Sequence, residues 1–273
     1  MRIGGSVMKL YNSPGEWLAH VRELGYTAVI FPVDSGAKKD VIRDYLNCAR
    51  DNDLLIGEVG VWRNCMAQNS AEREKNISYA IRQLELAEEV CANCCVNISG
   101  SLGTLWDGYH ADQGSRAFYD SVVETTRRII DAVNPQHTCF SLEPMPWMCP
   151  ETPEEYLEMI RDVDRKGFLV HLDYANMING LEKYRDASGF IRHCFDLLAP
   201  YIRSIHAKDL LIRDQILPIC IEEVQPGEGS MDMKLVLECA KQLPGDIPVF
   251  VEHLPDHDAY MKASAYMRSL CTE

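Results

Sequence analysis

The chain has 273 residues, of which 47% are hydrophobic and 25% are charged, the composition of a globular protein with a sizeable core. Its formal net charge of −14 repels phosphate backbones and anionic membrane surfaces, so the sequence predicts no nucleic-acid partner and no membrane partner. No apolar run approaches the roughly 20 residues of a membrane span, and a strand pattern begins directly after Met1 without a signal peptide, so we expect a cytoplasmic protein.

Short apolar segments alternate along the chain with longer amphipathic segments, which is the pattern of β/α units. Strands are predicted near residues 3–8, 26–32, 54–59, 94–99, 138–143, 168–174, 201–207 and 247–253. Helices are predicted near residues 14–24, 38–51, 70–92, 115–133, 153–165, 188–199, 231–242 and 257–270. Eight repeats without a GxGxxG motif after the first strand favour the α/β class and a closed (β/α)8 barrel over an open sheet, and residues 1–273 are predicted to form one domain.

Hydroxyl side chains mark several of the predicted helix starts. Ser13 and Thr152 each precede a proline, the residue favoured at the first helical position. Ser230 is the predicted N-cap of the seventh helix.

Three connections that follow predicted strands are long, and long loops in a compact domain are usually functional. They cover residues 58–69, 100–114 and 208–229. Their aromatic and histidine side chains, suited to covering a ligand, are Trp62, Trp106, Tyr109 and His110. In a (β/α)8 barrel these loops would all lie on the C-terminal face, where active sites are built.

Four consecutive predicted strands each carry, near the C-terminal end, one residue able to bind a hard divalent cation. These residues are Glu143, Asp173, His206 and Glu252. Because side chains alternate along a strand, placing the large apolar neighbours toward the helices turns all four toward the barrel axis. Three carboxylates at one barrel mouth repel one another unless a cation lies between them. Three oxygen ligands and one imidazole favour Mn²⁺, also suit Mg²⁺, Co²⁺ and Fe²⁺, and leave Zn²⁺ open. The alternative is a buried polar network that includes His171 and Lys208.

Two histidines lie beside these ligands in the sequence. By strand alternation His171 lies one layer deeper than Asp173, where it is predicted to make structural hydrogen bonds. His253 follows Glu252 and is predicted to point away from the barrel axis.

Five short motifs carry a family resemblance. They are Leu142-Glu143-Pro144, Leu172-Asp173-Tyr174-Ala175-Asn176, Ile205-His206-Ala207-Lys208-Asp209, Pro226-Gly227-Glu228-Gly229-Ser230-Met231-Asp232 and Val251-Glu252. With these motifs the chain resembles the xylose isomerase-like TIM barrel superfamily, of the sugar phosphate isomerase/epimerase type that includes ketose 3-epimerases and inosose dehydratases. The resemblance implies one divalent metal ion held by Glu143, Asp173, His206 and Glu252, with Glu143 and Glu252 doubling as catalytic acid and base. It also implies a small-molecule carbohydrate substrate, and barrels of this type commonly form homodimers or homotetramers.

The function implied by this resemblance is a divalent-metal-dependent sugar isomerase or epimerase acting on a keto-sugar or related polyol. A metal ion bound to the carbonyl and adjacent hydroxyl oxygens would stabilise the enediolate formed when the α-proton leaves. Return of a proton to the opposite face gives epimerisation, whereas return to the neighbouring carbon gives isomerisation. The alternative on the same site is a lyase or dehydratase acting on a 3-keto sugar, an inosose or a dehydroshikimate-like acid. Two further hypotheses for the function are an apurinic-site endonuclease and a catalytically inactive partner subunit.

The chain departs from the ketose epimerase pattern at two places. Asn176 stands where those enzymes carry a histidine three residues after the metal aspartate. The arginine expected after the metal histidine has Arg213 as its nearest counterpart. Both differences indicate changed substrate contacts. No glycine-rich loop in basic company opens a helix after the seventh or eighth strand, although the 227–229 turn offers backbone amides, and this favours a substrate without phosphate.

Several residues are predicted to contact the substrate. Glu58 and Asn97 face inward near the ends of their strands, and the rings of Trp62 and Trp106 are suited to stacking on a sugar face. His110 is an additional acid/base candidate. The predicted substrate-binding set is Glu58, Trp62, Asn97, Trp106, His110, Asn176 and Lys208.

Overall fold

The computed structural model describes residues 1–271, and parallel strands form its centre. The strands are β1 (Arg2–Gly5), β2 (Ala28–Ile30), β3 (Leu55–Gly60), β4 (Cys94–Asn97), β5 (Phe140–Leu142), β6 (Val170–Leu172), β7 (Ile202–His206), β8 (Asp209–Ile212), β9 (Ile221–Val224) and β10 (Pro248–Val251). Strands β1, β10, β7 and β6 form one parallel run, and β2, β3, β4 and β5 form the other.

Backbone hydrogen bonds join the two parallel runs at both seams. The Thr27 N–H donates to the Ile3 carbonyl at 2.9 Å, and the Phe140 N–H donates to the Gly167 carbonyl at 2.8 Å. Within residues 1–271 the strands therefore close into a barrel in chain order, with β10 as the eighth barrel strand. This confirms the predicted (β/α)8 barrel.

The helices surround the barrel and follow the predicted boundaries closely. They are α1 (Pro14–Leu24), α2 (Lys39–Asp51), α3 (Ser70–Val90), α4 (Arg116–Val133), α5 (Pro153–Val163), α6 (Tyr174–Met177), α7 (Leu181–Arg185), α8 (Ala187–Leu198), α9 (Met233–Gln242) and α10 (His257–Ser269). The short helices α6 and α7 lie in the connection after β6, ahead of the helix predicted from residue 188. None of the helices in the described part of the chain combines the length and apolarity that crossing a membrane requires.

Two of the three predicted N-caps are confirmed. The Ser13 hydroxyl accepts the Glu16 N–H at 3.3 Å, and the Thr152 hydroxyl accepts the Glu155 N–H at 3.1 Å. The prediction for Ser230 is wrong because α9 begins later, and the carboxylate of Asp232 caps it instead. An aspartate next to the first helical residue satisfies the free N–H groups there as well as a serine does.

A β-hairpin occupies the long connection after β7, which was predicted only as a loop. Strands β8 and β9 pair antiparallel, with Asp209 opposite Val224. The carboxylate of buried Asp209 then accepts the N–H groups of Gly227 and Gly229, each at 2.9 Å. These bonds hold the turn after the hairpin against the barrel mouth.

The barrel interior beneath the mouth is filled by the ring of Phe250. A β-carbon at Gly4 would lie 2.5 Å from this ring, and one at Gly57 would lie 2.6 Å from it. Glycine at these two positions on β1 and β3 therefore lets the ring reach the axis. Phe250 points inward, and Glu252, two residues later, emerges at the mouth, as strand alternation predicts.

Candidate metal centre

Four side chains meet at the C-terminal mouth of the barrel, one from each of four neighbouring strands. Glu143 directly follows β5, Asp173 directly follows β6, His206 ends β7, and Glu252 directly follows β10. One ligand atom from each residue lies within 4.8 Å of the ligand atoms of the other three. The four residues that the sequence singled out as cation ligands are thus brought together.

The geometry of this group fits a divalent cation. The Nδ1 atom of His206 lies 2.9 Å from Glu252 Oε1, 3.3 Å from Glu143 Oε1 and 3.8 Å from Asp173 Oδ2. The buried atoms Asp173 Oδ2 and Glu252 Oε1 lie within ion-pair distance of Lys208, but among the described residues neither accepts a hydrogen bond of normal geometry. Buried carboxylate oxygens normally have one, so their convergence beside an imidazole suits a hard cation with oxygen and nitrogen ligands.

Lys208 lies against the same three carboxylates. Its ammonium group is 2.5 Å from Glu252 Oε1, 2.8 Å from Asp173 Oδ2 and 3.3 Å from Glu143 Oε1. Burial alone would lower the pKa of Lys208, but the facing carboxylates, Asp173 foremost, raise it well above its ordinary value. Lys208 therefore stays charged and balances one of three negative charges.

The three acidic ligands differ in how their surroundings shift their pKa. Burial raises the pKa of Asp173 to about 7, against the opposing charge of Lys208. Burial also acts to raise the pKa of Glu143, but Lys208 and then His206 lower it well below its usual range. For Glu252 burial is the strongest influence and would raise its pKa, but His206 and Lys208 together lower it below its ordinary value. Glu143 and Glu252 are therefore ionised at neutral pH and able to accept a proton.

A second layer of side chains supports the centre. The amide of Asn176 donates to Glu143 Oε1 at 3.1 Å and to the carbonyl of Pro144 at 3.0 Å. The backbone N–H of Asn176 donates to Asp173 Oδ1 at 2.9 Å, so that oxygen caps α6 while Oδ2 faces the centre. Asn176 thus orients two of the acidic ligands.

Glu58 and His171 lie deeper in the barrel, as strand alternation predicts for His171. His171 Nδ1 lies 3.1 Å from Glu58 Oε1, and His206 Nε2 lies 3.4 Å from Glu58 Oε2. Burial would raise the pKa of Glu58, but the facing imidazoles, His206 first, lower it below its ordinary value. Glu58, His171 and His206 form a second group whose ligand atoms could hold a cation.

A cavity of about 310 Å³ opens above the acidic ligands. Its floor includes Glu143, His206 and Glu252, and its walls include the rings of Trp62 and Trp106. The volume falls at the lower end of the range for small-molecule sites. A pocket with an aromatic wall and an ionic floor suits a polar ligand that has one flat, less polar face.

The structure does not bring all predicted contacts to this cavity. Of the predicted substrate-binding set, its lining, as drawn from the described residues, includes Glu58, Trp62 and Trp106 but not Asn97, His110, Asn176 or Lys208. The Asn97 side chain accepts the Arg63 N–H at 3.1 Å and donates to the Arg63 carbonyl at 2.9 Å, so it holds the loop after β3. His110 accepts the Asp112 N–H at 3.3 Å and caps a short 3₁₀ turn. These placements favour structural roles for both side chains.

His253 is a cavity residue that the sequence pattern missed. It lines the cavity wall, although alternation from Glu252 predicts an outward direction. Beyond Val251, where β10 ends, the backbone of His253 has φ of 54°, and this left-handed conformation breaks the alternation. His253 Nδ1 lies 3.0 Å from Glu223 Oε2 on β9, and this hydrogen bond raises the pKa of His253. Predicting this direction from the sequence would have required recognising the β8–β9 hairpin, which brings Glu223 to His253.

Comparison with known proteins places the fold in a family. The family model described as xylose isomerase-like TIM barrel matches residues 18–270. A sequence comparison with curated proteins gave no significant match.

Solved structures with the same fold share little sequence with the chain. A xylose isomerase-like TIM barrel protein from Mycobacterium smegmatis, in complex with magnesium, has 18% identity and a TM-score of 0.69, with 96% of this chain and 90% of that chain covered. The 3-keto-D-glucoside 4-epimerase from E. coli has 16% identity and a TM-score of 0.68, covering 98% and 99%. The probable 3-DHS dehydratase involved in petrobactin synthesis from Bacillus anthracis has 18% identity and a TM-score of 0.71, covering 96% and 94%.

Proposed function

The chain belongs to the xylose isomerase-like TIM barrel family, and we propose that it is a divalent-metal-dependent enzyme that epimerises or isomerises a keto-sugar. The observation that carries this proposal is the convergence of Glu143, Asp173, His206 and Glu252 at the barrel mouth, directly beneath the cavity that three of them line. Three carboxylates and one imidazole form a donor set that Mn²⁺ and Mg²⁺ accept readily. We propose Mn²⁺ as the resident ion.

The resident ion has one task in this proposal. When bound, it supplies Lewis-acid stabilisation of negative charge that develops on the oxygen atoms of a keto-sugar. Glu143, Asp173, His206 and Glu252 hold it, and Lys208 neutralises the remaining carboxylate charge.

Proton transfer falls to the two glutamates. Glu143 follows the fifth barrel strand and Glu252 follows the eighth, so they approach the cavity floor from separate positions around the mouth. Both are ionised at neutral pH, which a base that removes a proton next to a carbonyl requires. One glutamate removes this proton to give the enediolate, and the other returns a proton to the second face. Asn176 holds Glu143 in place for this step.

The cavity also supports a substrate that is a sugar without phosphate. Trp62 and Trp106 offer ring faces for stacking on a pyranose or furanose. The glycine amides of the 227–229 turn are the obvious phosphate donors in the sequence, but Gly227 and Gly229 both donate to Asp209. Neither amide remains for a phosphate group.

Elimination is the second candidate reaction, and His253 is the observation that favours it. Expulsion of a group β to the carbonyl needs a proton donor for the leaving group in addition to the base. His253 stands in the cavity wall with Nδ1 held by Glu223, and its Nε2 lies 3.6 Å from Glu252 Oε1, beside the proposed base. A 3-keto sugar, an inosose or a dehydroshikimate-like acid would be the substrate of such a lyase.

Solvent deuterium incorporation tests the proposal. Mn²⁺-loaded protein is incubated in D₂O with a panel of ketoses, 3-keto sugars and inososes, and the products are examined by mass spectrometry and NMR. Deuterium in an isomeric product supports the epimerase or isomerase, whereas loss of water or an aglycone supports the lyase.

The variants Glu143→Gln and Glu252→Gln should abolish exchange in this assay. Glu74→Gln, the same change on the outer helix α3, serves as the matched control and should not alter it. If no compound exchanges and the protein retains no metal, the enediolate mechanism is refuted.

A further inference from the structure

A buried carboxylate lies directly beneath the histidine of the candidate metal centre. Glu58 extends from β3 into the barrel interior, and it is 1% exposed. Its Oε2 atom lies 3.4 Å from Nε2 of His206. The other ring nitrogen of His206, Nδ1, faces upward, 2.9 Å from Glu252 Oε1. One imidazole therefore joins two layers of acidic side chains.

The carboxylate of Glu58 is itself held in position. The hydroxyl of Ser204 donates to Oε1, and His171 Nδ1 lies 3.1 Å from the same oxygen. Ser204 precedes His206 by two residues on β7, so both side chains point to the same interior face. Three contacts from two strands therefore fix Glu58, which is buried at the bottom of the cavity.

The hydrogen-bonding capacity of these groups determines where the imidazole proton lies. An ionised carboxylate only accepts hydrogen bonds, whereas a neutral imidazole has one N–H and one nitrogen lone pair. Nδ1 faces the space between the three carboxylates, where a bound cation would take its lone pair. The N–H of His206 would then be at Nε2, directed at Glu58.

We propose that Glu58 is a positioning residue of the metal centre, which fixes the ring orientation and the tautomer of His206 so that Nδ1 is presented as a ligand. Carboxylates that hold a ligating histidine in this way typically contribute a factor of about 10–100 to metal affinity. The inference rests on the proposed function in taking His206 as a metal ligand. It gives Glu58 a role that differs from direct substrate contact.

The first measurement is Mn²⁺ affinity by equilibrium dialysis, with the number of ions per chain determined at saturation. Glu58→Gln keeps the size of the side chain and removes its charge, and it should weaken Mn²⁺ binding about 10–100-fold. Glu58→Asp keeps the charge and should restore part of the affinity. Ser204→Ala removes only one support of Glu58 and should cost a few-fold. Glu74→Gln on helix α3 is the matched control and should bind as the wild type does.

The second measurement determines the tautomer of His206, which would not depend on Glu58 if Glu58 had only a structural role. Histidine-selective ¹⁵N labelling of the Mg²⁺-loaded protein should show His206 with its proton on Nε2 in the wild type. In Glu58→Gln this signal should shift toward a mixture of tautomers, while far-UV circular dichroism shows that the barrel is intact.

Two results would overturn the proposal. Unchanged Mn²⁺ affinity and an unchanged tautomer in folded Glu58→Gln would remove the positioning role. Two Mn²⁺ ions per wild-type chain, one of them lost in Glu58→Gln, would instead make Glu58, His171 and His206 a second cation site. If the wild type binds no Mn²⁺, the proposed function itself fails. If the wild type binds Mn²⁺ and only the Glu58 variants behave otherwise than expected, this inference alone fails.

Discussion

The substitution Asp209→Asn tests how the turn after the hairpin is held at the barrel mouth. Asp209 is 1% exposed, and each of its two carboxylate oxygens accepts hydrogen bonds from two backbone N–H groups. The donors, each at 2.9 Å, are Gly227 and Gly229 to Oδ2, and Leu210 and Met231 to Oδ1. Asparagine offers one oxygen, so whichever way its amide turns, its NH₂ group faces two N–H donors.

The expected loss of unfolding free energy in Asp209→Asn follows from the two hydrogen bonds that asparagine cannot accept. Hydrogen bonds to a charged group contribute about 1.5–3 kcal/mol each, so their loss would cost about 3–6 kcal/mol. We expect about 3 kcal/mol, the lower end, because the turn can move toward water and satisfy part of the loss. At about 2–4 °C per kcal/mol, the melting temperature should fall by about 6–12 °C.

Urea unfolding followed by circular dichroism measures the free energy change, and hydrogen exchange with mass spectrometry locates it. Exchange should accelerate in the peptide that contains residues 226–231. Asp214→Asn, an exposed residue of the hairpin connection, is the matched control and should change stability by less than about 0.5 kcal/mol. The reasoning is refuted if Asp209→Asn unfolds within about 0.5 kcal/mol of the wild type and its turn exchanges at the wild-type rate.

Four further outcomes are expected. Phe250→Ala should destabilise the protein by about 3–5 kcal/mol in urea unfolding, because it leaves a cavity on the barrel axis beneath the mouth. A loss under about 1 kcal/mol would show that the Phe250 ring does not fill the barrel interior. Chelation with EDTA should abolish activity, and re-addition of Mn²⁺ at about 100 times its Kd should restore it and raise the unfolding free energy by about 2.7 kcal/mol. Asp232→Ala should cost about 1 kcal/mol, whereas Ser230→Ala should cost under about 0.5 kcal/mol; equal costs would reinstate the serine cap. Burial acts to raise the pKa of Glu88, but hydrogen bonds from His137 and its neighbours lower it overall. The ionised Glu88 therefore stabilises the fold fully at neutral pH, and this stabilisation is lost as pH falls through the folded-state pKa. The stability difference between wild type and Glu88→Gln should therefore shrink in urea titrations from about pH 5 to pH 3, and a difference that grows in acid would contradict the sign.

The convergence of the four candidate ligands was predictable because it depends on local rules. Within a strand the direction of a side chain alternates with period two, so an inward Phe250 requires an inward Glu252. The C-terminal ends of parallel barrel strands meet at one mouth, so Glu143, Asp173 and His206 had to converge there. Neither step requires knowledge of any loop.

The rest of the cavity depends on loop conformation, which these rules do not reach. The direction of His253 changes where β10 ends and φ becomes positive, a backbone choice that the hairpin supports through Glu223. The amide of Asn97, the last residue of β4, is taken by the backbone of Arg63 in the loop after β3, a contact that sequence spacing cannot show. In both cases a hydrogen bond between a loop and a strand decides the outcome.

The charges at the mouth argue for a divalent cation over a monovalent one. Glu143, Asp173 and Glu252 carry three negative charges when ionised, and Lys208 returns one positive charge to the same oxygens. A divalent ion brings the group to neutrality, whereas a monovalent ion leaves one buried negative charge without compensation, which is costly in a poorly solvated site. The charge of Glu58 lies separately in the layer below, where the Ser204 hydroxyl donates to it and the His171 imidazole lies 3.1 Å away. The imidazole of His206 belongs to both layers, so the contact made by its lower nitrogen determines what its upper nitrogen can bind.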